Sequence, residues 1–249
     1  MIETAVAEMD HVIALIYDVP DVSPVPLTIR AESIRELYPQ VEVVESWDGP
    51  LEVSNDPNIT AQHDAYLQKT FADRDITHFY SSEFYGAHVS AALGACDRQV
   101  DPDRSNVPIS STALRDSPFA HRSYVHRRVY WDLITKVVFL GAPSTGKTTL
   151  AQRIAQEFDT AWVAEYGREY WDEHQIERRL TPAQLLEIAV GHRQREEQGA
   201  ADANRYLFID TEAITTLQFA HYYHGAARPE LQQLAAESLT RYDVFFLCE

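Results

Sequence analysis

The sequence predicts an α/β protein of two tandem domains, each a mainly parallel sheet with flanking helices. Three observations carry that expectation. Residues 11–44 read strand, helix, strand, the order of a parallel crossover. Residues 136–150, KVVFLGAPSTGKTTL, join an apolar, valine-rich run to a helical pattern through a loop containing glycine. A later apolar run, Tyr206 to Ile209, leads into Asp210-Thr211-Glu212, a strand that ends in acids. The domains are expected at 1–133 and 134–249.

In the first half, Ile2, Ala5, Val6 and Met9 share one helical face. A strand follows at His11–Tyr17, then a proline-rich loop, a helix over Thr28–Tyr38 and a strand over Val41–Val44. A sheet of this kind normally begins with a strand, so a first strand is expected to be missing. Gly49–Asn58 reads as loop, Ala61–Arg74 as helix, Thr77–Tyr80 as strand and His88–Leu93 as a short helix. The segment Asp97–Val107 is polar and rich in turn residues. In PISSTALR (108–115), Ser110, Ser111 and Thr112 precede an apolar step and Arg115. These hydroxyls suit a helix N-cap, and the same helix start could hold a triphosphate with Arg115 as cationic partner. The sequence alone leaves both readings open. Phe119–Trp131 reads as the helix that closes the first domain.

In the second half, Gly141, Gly146, Lys147 and Thr148 fit G-x-x-x-x-G-K-[ST], the P-loop, placed between strand and helix as its mechanism requires. Loop N–H groups from Gly141 through Ser144, Thr145 and Gly146 to Thr149 would cradle phosphate. Lys147 would reach the β- and γ-phosphates of ATP, and the Thr148 hydroxyl would ligate Mg²⁺. Thr160–Ala164 is a strand, Pro182–Ala203 a long helix, Ala213–His224 and Pro229–Arg241 two more, and Asp243–Cys248 a last strand. Asp210, at the end of its strand, is the Walker B candidate that would hold Mg²⁺ directly or through water.

The formal net charge is −17, and Lys69, Lys136 and Lys147 are the only lysines. Nucleic-acid backbones need clustered positive charge, so a nucleic-acid partner is not expected. No apolar run approaches a membrane span, and no leader pattern opens the chain, which predicts a cytoplasmic protein with no membrane partner. Cys96 and Cys248 are the only cysteines and form no metal-binding pattern. Homo-oligomerisation is left open.

The order of SSEFYG (81–86), DPDRSNVPISSTALR (101–115) and a P-loop soon after resembles one family. It is the bifunctional nicotinamide mononucleotide (NMN) adenylyltransferase and ribosylnicotinamide kinase, the NadR type. The resemblance implies a nucleotidylyltransferase-like first sheet and a P-loop kinase-like second sheet. It implies that Ser110, Ser111, Thr112 and Arg115 cradle ATP phosphates, and it matches Asp101 and Arg104 to a D-x-x-R step. It places Ser82, Glu83 and Tyr85 near the substrate pocket of the first domain. Glu165-Tyr166-Gly167-Arg168-Glu169-Tyr170 resembles an E-Y-x-R-[DE]-Y step in the nucleoside pocket of the kinase half. Tyr166 or Tyr170 would then pack against the nicotinamide ring, with Arg168 beside them. A carboxylate at the end of the strand next to a P-loop is placed to take the proton of an attacking hydroxyl, which makes Glu165 the candidate base. A surface carboxylate or cap is the plainer alternative.

The chain departs from the family in two places. The H-x-G-H signature after the first strand is absent, and no arginine-bearing lid follows the last strand. The sequence therefore reads as an internal fragment, cut at both ends. The implied function is NAD biosynthesis by salvage, with substrates ribosylnicotinamide, NMN and ATP and the cofactor Mg²⁺. Its reactions are phosphorylation of ribosylnicotinamide and adenylyl transfer to NMN, the second weakened by the missing H-x-G-H. The alternatives are a non-catalytic nucleotide-binding module and a P-loop kinase for another nucleoside.

Overall fold

Every paired strand in the structure, a computed structural model that describes residues 1–23, 25–52, 56–82 and 85–249, runs parallel to its neighbour. The chain is α/β, as the strand–helix alternation predicts. It divides into two units, Met1–Pro118 and Phe119–Glu249.

The first unit runs α1 (Ile2–Glu8), β1 (Val12–Tyr17), α2 (Leu27–Leu37), β2 (Val41–Ser46), α3 (Pro57–Thr70), β3 (His78–Ser81), α4 (Gly86–Leu93), β4 (Cys96–Gln99) and α5 (Ser111–Asp116). β1 pairs with β2 from Val12↔Val41 to Tyr17↔Ser46, and β3 with β4 from His78↔Cys96 to Ser81↔Gln99. The expected single sheet is thus two separate parallel pairs among the described residues. A shared core ties them, because Leu67 and Phe71 of the α3 end and Val89 of α4 pack with Ile13 and Leu15 of β1 and Phe79 of β3.

Two expectations are corrected in this unit. Cys96–Gln99 is a strand, although its last three residues fall in the segment Asp97–Val107 expected to be turn-rich. Aspartate is depleted in strands, so pairing to β3 rather than propensity decides it. α3 starts at Pro57 and not at Ala61, because the Asp56 carboxylate accepts from Asn58 N–H at 2.8 Å and proline suits the first helical position.

The second unit opens with a 3₁₀ turn (Arg122–Tyr124) and α6 (Arg127–Leu133), where one helix over Phe119–Trp131 was expected. His126 breaks it by capping α6, accepting from Arg128 N–H at 3.2 Å. There follow β5 (Thr135–Gly141), α7 (Lys147–Glu157), β6 (Trp162–Val163), α8 (Tyr166–His174), α9 (Pro182–Ala200), β7 (Tyr206–Asp210), α10 (Ala213–His224), α11 (Pro229–Arg241) and β8 (Val244–Cys248). The strand order is β6-β7-β5-β8.

The central strands β5 and β7 are buried on both faces. Val138, Leu207 and Ile209 face one core with Tyr130, Ala200 and Tyr242, while Val137, Phe139 and Phe208 face another with Ala151 and Ala155. That is the two-residue alternation of a strand covered by helices on both sides. Tyr130 of α6 is buried in the first of these cores and donates to the Ala203 carbonyl at 2.6 Å. α6 therefore belongs to the second unit, and the division falls earlier than the 133/134 boundary expected from the sequence. Among the described residues no helix is long and apolar enough to cross a membrane.

Candidate nucleotide-phosphate site

β5 delivers the P-loop to the carboxyl edge of the second unit's sheet, where open α/β sheets bind ligands. Gly141 has φ +139°, and a Cβ there would be driven into the Cys248 carbonyl of β8. Only glycine fits. Ser144 (φ +68°) and Gly146 (φ +86°) turn the loop back on itself, so that its N–H groups can line a concavity. Thr145 Oγ1 donates to the Ala142 carbonyl at 2.9 Å and holds that shape.

α7 begins at Lys147, and Gly146 at its N-cap contributes no side-chain hydrogen bond. The first-turn N–H groups, including those of Thr148 and Thr149, are therefore left for an anion, which the helix dipole also favours. Lys147 is largely buried and its ammonium donates to the Ala142 carbonyl at 2.8 Å, so it lies across the loop.

Beside it, the β5–β7 register pairs Phe139 with Asp210. Asp210 is fully buried, and its Oδ2 accepts from Thr148 Oγ1 at 2.5 Å. Its Oδ1 is buried and has no hydrogen-bond partner. A buried carboxylate with one free oxygen, next to a threonine hydroxyl and a phosphate loop, fits a hard cation such as Mg²⁺. Among the described residues, no group of three or more His, Cys, Asp or Glu could hold a metal alone. Mg²⁺ does not require such a group, because it commonly takes one or two protein ligands plus phosphate oxygens and water.

Sequence reasoning missed how the chain leaves Asp210. Thr211 has φ +66°, a left-handed conformation that costs a β-branched residue roughly 1–3 kcal/mol. Glu212 then caps α10, accepting from Ile214 N–H at 2.7 Å, and burial raises its pKa. An apolar pocket of about 370 Å³ borders the loop's first residues, walled by Ala142, Pro143, Ile214, Phe219 and Leu247 with Gln218 at its side.

Residues 136–249 match the family model described as an AAA domain. Two curated proteins titled trifunctional NAD biosynthesis/regulator protein NadR, from Salmonella typhimurium strain LT2 and Escherichia coli strain K12, are each 36% identical over 152 residues. The match covers 60% of this chain. Over the matched residues this chain is similar to the NadR proteins. The match spans 37% of the length of these curated relatives. Two solved structures share the fold over 99% of this chain: a NadR protein in complex with NR (TM-score 0.53, 22% identity, 74% of that chain) and a NadR protein in complex with NAD and AMP-PNP (TM-score 0.51, 20% identity, 75% of that chain).

The remaining predicted residues of the second unit gather around α8. Glu165 stands at the N-cap of α8 without capping it, and its Oε2 lies 3.2 Å from Arg168. Tyr166 packs on α9, where a Cβ on Gly191 would strike its ring, and the Arg195 guanidinium sits 4.0 Å from the ring centroid. Tyr170 is buried; its hydroxyl donates to Glu187, its ring stacks on His174, and it meets Tyr166 edge-on at 5.7 Å. Burial first, then Glu187, push its pKa up to about 12.

In the first unit, Ser110 caps α5, accepting from Ala113 N–H at 2.9 Å, while Ser111, Thr112 and Arg115 are exposed. Arg115 reaches Thr112 Oγ1 at 3.4 Å. Asp101 is a loop organiser: its carboxylate accepts from the N–H groups of Ser105, Asn106 and Val107. Ser82 is half-buried at the end of β3, Tyr85 is exposed, and Glu83 lies outside the described residues.

Proposed function

We propose that the second unit is an MgATP-dependent kinase that phosphorylates the 5′-hydroxyl of ribosylnicotinamide, giving NMN for NAD biosynthesis by salvage. The observation that carries the reading is Asp210. Its bonded oxygen meets Thr148 and its free oxygen faces no partner, beside a loop crossed by Lys147. Loop N–H groups and Lys147 would bind the β- and γ-phosphates. Thr148 and Asp210 would hold Mg²⁺, which when bound neutralises phosphate charge.

Glu165 would take the proton of the 5′-hydroxyl as its oxygen bonds to the γ-phosphorus. The bond from that phosphorus to the β–γ bridging oxygen breaks, and ADP leaves. Tyr166 and Arg168 would line the nucleoside side, with Tyr170 bracing Tyr166 from within. The two NadR structures, one in complex with NR and one with NAD and AMP-PNP, support these substrate classes.

For the first unit the proposal is narrower. Ser111, Thr112 and Arg115, with Ser110 as cap, would hold the triphosphate of a second ATP for adenylyl transfer to NMN.

The test is ADP release from MgATP with ribosylnicotinamide, uridine and adenosine as competing acceptors. The proposal expects ribosylnicotinamide to have the highest kcat/KM. Preference for another nucleoside would overturn the substrate and leave the phosphotransferase chemistry standing.

A further inference from the structure

Behind the phosphate site, α9 carries a buried polar column that the proposed chemistry does not use. His192 and Glu196 lie one helical turn apart, 4% and 0% exposed. His192 Nε2 is 3.0 Å from the Thr211 carbonyl oxygen. A carbonyl only accepts, so Nε2 carries the proton and donates it. Burial lowers the pKa of the ring, which favours its neutral form. Glu196 in turn accepts from Arg241 Nε at 2.9 Å and from the Tyr242 hydroxyl at 2.8 Å, so the end of α11 anchors the column.

The far end of the column is the strained residue. Thr211 stands between Asp210 and Glu212 in the left-handed conformation. Its N–H donates to the Phe139 carbonyl of β5 at 3.1 Å, and its own carbonyl receives His192. Both main-chain polar groups are therefore clamped, one by the sheet and one by α9. Such strain persists only where the surroundings over-determine it. Releasing one side would let the turn relax and carry the Asp210 carboxylate with it.

We propose that His192 is a positioning residue: its Nε2–H bond to the Thr211 carbonyl fixes the turn that aims the free oxygen of Asp210 at nucleotide-bound Mg²⁺. The inference rests on reading the P-loop and Asp210 as an MgATP site. It treats His192 as an outer-shell partner, a class whose loss commonly weakens metal affinity 10–100-fold, to order of magnitude.

The test compares His192→Gln, whose amide N–H can reach about as far as Nε2, with His192→Asn, which is one methylene shorter. His192→Leu, which fills the space without donating, is the second loss variant. AMP-PNP binding to the whole chain is measured by calorimetry with and without Mg²⁺, and melting temperature confirms that each variant folds. The glutamine variant should keep the Mg²⁺-dependent gain in affinity, and the asparagine and leucine variants should lose about tenfold of it. Mg²⁺-free affinity, carried by the loop and Lys147, should not move. An asparagine or leucine variant with the full gain would overturn the positioning role. Absence of any Mg²⁺-dependent gain in the unsubstituted chain would instead overturn the site reading, and this inference with it.

Discussion

Replacing Glu165 by glutamine removes the proposed proton acceptor while keeping the side chain's length beside Arg168. We expect kcat to fall by about 10²–10⁴-fold, the usual contribution of general base catalysis, with the KM for MgATP nearly unchanged. Steady-state kinetics with ribosylnicotinamide checks this, and a change confined to KM would mean that Glu165 binds rather than reacts. Asp101 gives a prediction of another kind. Its N–H bonds, from Val107 first, hold its carboxyl below the usual carboxylate range. The ordering it supplies is thus complete above the ordinary Asp range and lost as pH falls through the depressed folded value. Amide exchange at Ser105, Asn106 and Val107, corrected for intrinsic rate, should show protection at neutral pH that acid abolishes and Asp101→Ala removes at every pH. The P-loop residues, Asp210 and the Ser110 cap were legible in the sequence because each depends on near neighbours or a fixed local spacing. Thr211, His192 and Glu196 were not, because nothing local announces that α9 passes behind β7 and grips its exit turn.

Elements with strong periodicity or clear punctuation were readable: α9 and α11 start at prolines, and β5, β7 and β8 are apolar runs between turns. β4 was hidden because its four residues, Cys-Asp-Arg-Gln, owe their conformation to pairing with β3. The α8–α9 contact offers a test at this scale. Gly191→Ala would add about 0.5–1 kcal/mol of helix propensity, yet its Cβ would strike the Tyr166 ring. Overpacking typically costs 1–3 kcal/mol, so a net loss of roughly 1 kcal/mol is expected in urea unfolding. A gain in stability would show that Tyr166 moves aside freely. At the start of α9, Thr181 and Gln184 form a reciprocal capping box. Thr181→Ala should cost about 1 kcal/mol, read by the same method.

For the whole molecule, a net charge of −17 means that self-repulsion opposes the folded state. Added salt should raise the melting temperature most steeply at low ionic strength, where the Debye length still spans neighbouring surface charges. The fold class follows from strand–helix order over the full length, which is why it was legible, whereas the place where one unit ends was not. That boundary depends on Tyr130 being drawn into the core of Val138 and Leu207, a contact between distant parts of the sequence. The proposed reaction of the second unit moves the γ-phosphoryl group of ATP to ribosylnicotinamide. Its most direct test is to supply ATP labelled in the γ-phosphate and follow the label. Label is expected in NMN, matched by ADP, and should be lost in Lys147→Ala. Label that stays in ATP while the folded protein binds MgATP, or that reaches NMN equally well without Lys147, would contradict it.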